Sequence, residues 1–392
     1  MWLLIFLYCA VTLLLSWIMF GYFVVVWFMG RFKEQRPIAM PEDATLPLIT
    51  IIIPCYNEQE DIMAKIKNIT MIQYPAGKLD IIFVDGGSTD KTIELIESNL
   101  PPSARLLKSP VKGKINQLNY AFKDAKGELV FNTDADAICD NDAFKWIVAE
   151  FLADPKVMVV GAYCKPMNCL SLENYYWAAQ NKGRFIESDY YSSSIVTAPC
   201  YALKKDFINY IPEDVVADDI YVAYFVSSHG FRSVYSRLAK CIETRNPNDY
   251  NQFLVHKFRK CNAYIRETLR FMYRLPFYDI YGKIMITTRL AQLLLLPWCI
   301  LFWLLNTAIL CTFFRFDIVG ICTLVLFTCF LICHWVFNQV VLPDNTSKTK
   351  IGTVIVGYFL TNIILFTAGI SYPFFKQGSS YSRITATNNS GK

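Results

Sequence analysis

Charge is missing from long stretches of this 392-residue chain. Residues 1–30, 290–314, 318–343 and 351–375 contain no Asp, Glu, Lys or Arg, and only eight charged side chains lie after residue 289. With 54% hydrophobic residues, the chain is too apolar for an ordinary soluble domain. Paired metal-ligand spacing is missing as well. The thirteen cysteines include no CxxC pair and no Cys/His ligand pattern, so there is no zinc motif to build on. Six of them (Cys9, Cys299, Cys311, Cys322, Cys329 and Cys333) fall inside the charge-free runs, and the others read as buried, reduced thiols. No aromatic-basic recognition motif accompanies the net charge of +5. Nucleic acid is therefore not an expected partner, whereas an anionic membrane surface is.

A helix crosses a bilayer with about 20 apolar residues, and all four charge-free runs exceed that. The first lacks the basic start, short apolar region and cleavage site of a secretion signal, so it reads as a retained span. Residues 1–30 are thus expected to form one membrane helix and 31–48 a linker. Residues 290–376 are expected to form three more membrane helices, followed by a tail at 377–392. Arg31, Lys33 and Arg36 follow the first span, which puts residues 31–289 on the cytosolic side. Lys348 and Lys350 suit the same side, while the tail, with Lys376, Arg383 and Lys392, falls outside and runs against the rule. The expectation is a multi-pass protein of the cell membrane with a cytosolic domain and membrane lipid as a partner.

In the polar middle, short apolar runs at 49–54, 79–85, 129–133 and 157–162 alternate with helical patterns at 58–72, 90–99 and 114–125. This alternation predicts a largely parallel, doubly wound, Rossmann-like α/β sheet over residues 49–250. Ligands of such sheets bind at the carboxyl ends of the strands. Polar residues gather there: Tyr56-Asn57-Glu58, Asp85-Gly86-Gly87-Ser88 and Asp134-Ala135-Asp136. Further on, Leu254, Phe258, Cys261, Ile265, Leu269 and Met272 recur at helical spacing, with Lys260, Arg266, Arg270 and Arg274 off that stripe. A basic amphipathic pattern just ahead of a span predicts interfacial helices over 251–289, lying on the membrane surface.

Asp134 and Asp136 are the first candidates for chemistry. Two acids at i and i+2 on a strand end converge on one hard divalent cation, Mg2+ or Mn2+, beside a phosphate; the other reading is a loop of helix-capping acids. Lys114 opens a helix whose free amides suit phosphate, although a solvated lysine fits its local setting equally well. Asp85 either binds ligand at a strand end or caps the turn toward Ser88. Asp218 and Asp219 form an acid pair at a helix start, where the macrodipole also favours them.

Four elements stand in order: Ile53-Pro54-Cys55-Tyr56-Asn57-Glu58; Gln73-Tyr74-Pro75 running to Asp85-Gly86-Gly87-Ser88-Thr89-Asp90; Gly113-Lys114 running to Leu118-Asn119; and Asp134-Ala135-Asp136. Together they resemble glycosyltransferase family 2, the inverting enzymes of GT-A fold, over about residues 49–275. The resemblance implies donor binding by Pro54, Tyr56, Glu58, Asp85, Lys114 and Asp134. It also implies a metal ion on Asp134 and Asp136. By the same resemblance Asp219 is the base that takes the acceptor hydroxyl proton, with Asp218 beside it, and Gly230-Phe231-Arg232 follows as the family pattern has it.

The chain departs from that pattern in three places. Asp-Asp-Gly becomes Asp85-Gly86-Gly87. Lys204 and Lys205 stand where arginines are usual. Processive membrane synthases of cellulose, hyaluronan and poly-N-acetylglucosamine carry QxxRW, and here the matching stretch is His256-Lys257-Phe258-Arg259-Lys260. Arg259 keeps the bidentate cation suited to a diphosphate, whereas His256 and Lys260 change the acceptor side. The resemblance implies a metal-dependent transfer from a UDP-sugar of the GlcNAc or glucose type to a glycan acceptor, as in polysaccharide synthesis. A single addition to a lipid-linked acceptor is the first alternative, and a non-catalytic scaffold on the same fold is the second.

Overall fold

The computed structural model describes residues 1–34, 37–344 and 351–374. The expectations that rest on Arg36, Lys348, Lys350 and the tail lie outside those residues. Among the described residues, eight strands form one sheet: β1 (Ile49–Cys55), β2 (Leu79–Asp85), β3 (Ala104–Lys108), β4 (Leu129–Thr133), β5 (Ala137–Cys139), β6 (Val157–Pro166), β7 (Cys200–Lys204) and β8 (Arg232–Glu243). Their order is β3-β2-β1-β4-β7-β6-β8-β5.

The β3-β2-β1-β4 half is parallel, as the alternating strands and helices predict. The other half differs from the expected parallel pattern. β7 runs antiparallel to both β4 and β6, and β5 antiparallel to β8. These strands escaped the sequence pattern for local reasons. β7 is Cys-Tyr-Ala-Leu-Lys, with no β-branched residue, and β5 has three residues. In β1, Ile49, Ile51 and Ile53 pack on one side of the sheet and Ile52 on the other, the pattern of a strand covered on both faces.

Three helices among the described residues are long and apolar enough to cross a membrane: Trp2–Gly30, Ile280–Thr312 and Phe316–Gln339. The fourth charge-free run contains the helix Ile351–Ser371. The helix at 280 starts before its charge-free run and takes Lys283 and Arg289 into its first turns. The basic helix expected at 251–275 spans Tyr250–Met272, but its stripe does not lie open to lipid. Cys261 and Ile265 are buried with Leu293, Ile364, Leu365 and Ala368 of the flanking apolar helices. On its other side Glu267 accepts the Val216 amide at 3.0 Å, and Thr268 meets the Tyr224 hydroxyl at 3.4 Å. The helix is a wedge between the sheet domain and the apolar helices, because its stripe finds protein partners before it finds lipid.

One buried carboxylate ties the two regions together. Glu187, on helix Ser171–Tyr190, is 0% exposed. Its Oε1 accepts the Tyr22 hydroxyl at 2.8 Å and Arg289 Nη2 at 2.6 Å. Its Oε2 accepts the Ser194 amide and hydroxyl at 2.8 and 2.7 Å. Nearby, Lys182 Nζ donates to the Phe337 carbonyl at 2.8 Å. Four donors satisfy both carboxylate oxygens, as a buried charge requires. Breaking such a pair costs about 3–5 kcal/mol because it strands the partner charge. We expect Glu187→Ala to lower the thermal stability of the detergent-purified protein by that order. The double variant Glu187→Leu/Arg289→Met should lose less, since no charge is left unpaired; the two melting curves check this.

Candidate active site

The site is built at the carboxyl ends of β1, β2 and β4. Two turns interlock there. After β1, Asn57 takes a left-handed conformation (φ 56). Its amide donates to Ser88 Oγ at 2.9 Å, and its Oδ1 accepts the Thr89 amide at 2.8 Å. Glu58 donates its amide to Thr92 Oγ1 at 2.7 Å. Pro54 lies within β1, and Tyr56 projects outward, 45% exposed. Asp85 ends β2 and is buried. Its carboxylate accepts the Gly87 amide at 2.7 Å and the Ser88 amide at 3.1 Å, so it holds the turn that follows β2.

The missing second acid of Asp-Asp-Gly has a steric cause. A Cβ on Gly86 would lie 1.9 Å from Gln117 Nε2. That amide is buried and donates to the Cys55 carbonyl at 2.8 Å, which also accepts the Gly86 amide at 2.9 Å. Gln117 therefore fills the space where a side chain at 86 would stand.

Lys114 opens helix Lys114–Asp124 and joins the two acidic motifs. Its ammonium sits 2.8 Å from Asp134 Oδ1 and 3.4 Å from Asp218 Oδ2. Asp218 is buried and accepts the Tyr201 hydroxyl at 2.8 Å. Desolvation raises the Asp134 carboxyl above its ordinary range, with Lys114 opposing and Asp136 and Asp218 adding. Desolvation also pushes Asp219 up to about 6, with Asp218 adding to the effect and Lys114, Lys260 and Arg184 opposing it. Such a carboxylate is matched to removing a proton near neutrality.

Asp136 has a different partner, one that sequence reasoning missed. Arg245 Nη2 lies 3.0 Å from Asp136 Oδ2, 2.8 Å from Glu58 Oε2 and 3.8 Å from Asp61 Oδ2. The guanidinium pins the β1 turn to the acidic loop, and no motif marks it in the sequence. Glu243, at the end of β8, was missed as well. Desolvation pushes its carboxyl up to about 7, against Lys260 and with Asp136.

The altered stretch lies on the wedge helix. Lys257 is buried and donates to Glu173 Oε1 at 2.8 Å, and its ammonium stands 3.7 Å from the Tyr176 ring centroid. Desolvation brings it down to about 8, with Glu173 opposing. Lys260 sits over the Trp177 ring at 5.3 Å. Arg259 Nη2 approaches His256 Nδ1 at 3.4 Å. Desolvation, with Lys260, Lys257 and Arg259 adding, holds His256 well below the usual imidazole range, so its ring is neutral. The structure thus brings Lys114, Asp134, Asp218 and Asp219 into one cluster, with Asp136, Glu58 and Arg245 in the next.

The carboxylates Asp134 and Asp136 are hard oxygen donors that suit Mg2+ or Mn2+. Among the described residues no third His, Cys, Asp or Glu completes a protein cage with them. That composition fits a cation held by one or two carboxylates and substrate phosphates.

Residues 50–211 match the family model described as Glycosyl transferase family 2. Curated relatives include the poly-beta-1,6-N-acetyl-D-glucosamine synthase of Staphylococcus aureus strain COL, 28% identical over 215 residues and covering 49% of each chain. That of Staphylococcus epidermidis is 29% identical over 147 residues, 35% of each chain. The chain spans about half the length of the first of these relatives. Among solved structures, the mannosyltransferase PcManGT from Pyrobaculum calidifontis, in complex with GDP-Man and Mn2+, superposes with a TM-score of 0.68 at 22% identity, over 94% of this chain and 99% of that one. The likeness is one of fold, the GT-A sheet with its apolar helices.

The packing at Gly86 yields a direct check. Gly86→Ala should cost about 1–3 kcal/mol, the price of leaving the buried Gln117 amide unsatisfied. Adding Gln117→Ala should relieve the overlap and recover part of that loss in a thermal unfolding assay.

Proposed function

Because the chain carries a glycosyl transferase family 2 domain at residues 50–211, we propose that it is an inverting, metal-dependent glycosyltransferase working at a membrane. Its donor is a UDP-sugar of the GlcNAc or glucose type and its acceptor a glycan, as in polysaccharide synthesis. The observation that carries this reading is the Lys114 bridge between Asp134 and Asp218, which unites donor-side and acceptor-side acids in one cluster. The synthase relatives and the apolar helices support it. The catalytic domain faces the cytosol and the apolar helices pass the bilayer more than once, in keeping with the basic residues after the first helix.

In this mechanism Asp134 and Asp136 hold the cation. When bound, the cation supplies positive charge for the departing nucleoside diphosphate. Asp85, Glu58, Pro54 and Tyr56 shape the nucleotide crevice, and Lys114 and Arg259 offer cations to phosphate. Asp219 accepts the proton of the attacking hydroxyl at its carboxylate oxygen as that hydroxyl oxygen bonds to the anomeric carbon. Asp218, held by Tyr201 and Lys114, keeps its neighbour in place and keeps its affinity for protons high. His256, Lys260 and Asp218 line the acceptor side.

A second reading, one addition to a lipid-linked acceptor, is favoured by Lys260. The synthases stack a tryptophan at this position, and here an ammonium lies over Trp177. Mass analysis of products from membranes containing the protein separates the two: a ladder supports polymer synthesis and a single addition supports the lipid acceptor.

Purified protein should release UDP from a UDP-sugar only with Mg2+ or Mn2+. Asp219→Asn should lower kcat by about 10²- to 10⁴-fold, and Asp136→Ala should abolish the metal response. Absence of both turnover and UDP binding with every UDP-sugar sinks the reading and favours a scaffold. The pH profile is a further check. Only ionised Asp219 accepts a proton and desolvation has raised its pKa, so kcat/KM should climb through about pH 6 and level off above it.

A further inference from the structure

Helix Ile62–Thr70 turns Ile62, Ile66 and Ile69 into the core, and Lys65 shares that apolar face. The lysine is 0% exposed. Its ammonium donates to Thr133 Oγ1 at 2.7 Å and to the Ala137 carbonyl at 2.6 Å. These residues come immediately before Asp134 and immediately after Asp136. One helical turn on, Asn68 grips the same loop: its Nδ2 donates to the Cys139 carbonyl at 2.7 Å, and its Oδ1 accepts the Cys139 amide at 3.0 Å. Both oxygens that Lys65 meets are neutral. Burying an ammonium against neutral oxygens costs several kcal/mol, and an aliphatic side chain would fill the same face without that cost. What the position does provide is a donor that reaches both ends of the tight turn carrying the two carboxylates.

We propose that Lys65 is a positioning residue for the acidic turn: it clamps the turn at both ends from beneath and so fixes the backbone that presents Asp134 and Asp136 to a divalent cation. The proposal rests on the reading of these two acids as cation ligands. The two effects of removing Lys65 have opposite signs. Loss of a nearby positive charge by itself strengthens cation binding, whereas loss of the clamp weakens it, so the direction of the change identifies the role.

The experiment is a Mn2+ titration of the detergent-purified full chain in the presence of UDP, read against a UDP-only blank and followed by electron paramagnetic resonance of free Mn2+. Melting curves are recorded alongside. Lys65→Met should weaken Mn2+ binding by about 10- to 100-fold, as loss of groups that orient ligands does. Thr133→Val, which removes one anchor and leaves the lysine, should weaken it less. Mn2+ affinity equal to or tighter than wild type in both variants overturns the proposal, even where the melting temperature falls, since a purely structural lysine would change stability alone. Should Lys65→Met fail to fold, Thr133→Val decides. Wild-type binding that Asp136→Ala abolishes, together with unchanged affinity in the lysine and threonine variants, overturns the clamp and spares the metal reading. No Mn2+ binding by the wild type overturns both.

Discussion

Repulsion between carboxylates is the constraint around which the site is organised. Asp136 and Asp218 stand close enough to Asp134, Asp218 to Asp219, and Asp134 and Asp136 to Glu243, for their charges to hold those three carboxyls up. Left alone, such a cluster would spread or protonate. It is held by cations brought from separate parts of the chain. Lys114 stands between Asp134 and Asp218, and Arg245 between Asp136 and Glu58. Lys65 lies beneath the turn itself. Each comes from a different element, so the sheet must be complete before the acids can sit together. Desolvation still raises the carboxyls of Asp134, Asp219 and Glu243 above their ordinary range.

The same logic of compensated charge joins the sheet domain to the apolar helices. Glu187 collects donors from the first apolar helix, from the helix at 280–312 and from the loop at Ser194. The hydrophobic core follows the same route: Tyr22, Val26, Val336 and Val340 belong to the cluster that also holds Ile52 and Val159 of the sheet. The wedge helix Tyr250–Met272 completes the junction by burying its stripe on protein and lending Lys257 to Glu173. The site is thus fixed relative to the apolar helices.

The wedge helix also explains why its altered residues stay in a coherent arrangement. Lys257 is locked to helix Ser171–Tyr190 by an ion pair and an aromatic ring. This sets the helical phase that directs Lys260 toward Trp177 and toward the carboxylates it influences. A tryptophan supplies a flat apolar face, whereas an ammonium supplies charge and hydrogen-bond donors. Lys260 thus brings charge to this end of the wedge helix, while the turns after β1, β2 and β4 are built from other elements.

Much of this was legible before any coordinates. The isoleucine runs of β1 and β2 and the glycine-rich turn at Asp85 declare themselves because local spacing alone sets where they fall, and the acids at 134 and 136 stand out as a candidate pair at a strand end. The charge-free runs do the same for the apolar helices. Other features depend on pairings across long separations. Arg245 meets Glu58 far back in the chain, Gln117 excludes a side chain at Gly86, and β7 inserts antiparallel between β4 and β6. Lys65 left a faint trace, a lysine on an apolar helical face, that gains meaning only beneath the turn it supports. By itself the sequence determined the strand and helix alphabet, the apolar helices and the acidic residues, since these follow from periodicity and composition along the chain. Tertiary structure alone decided which cation answers which acid, because that depends on distances between elements that sequence order does not encode.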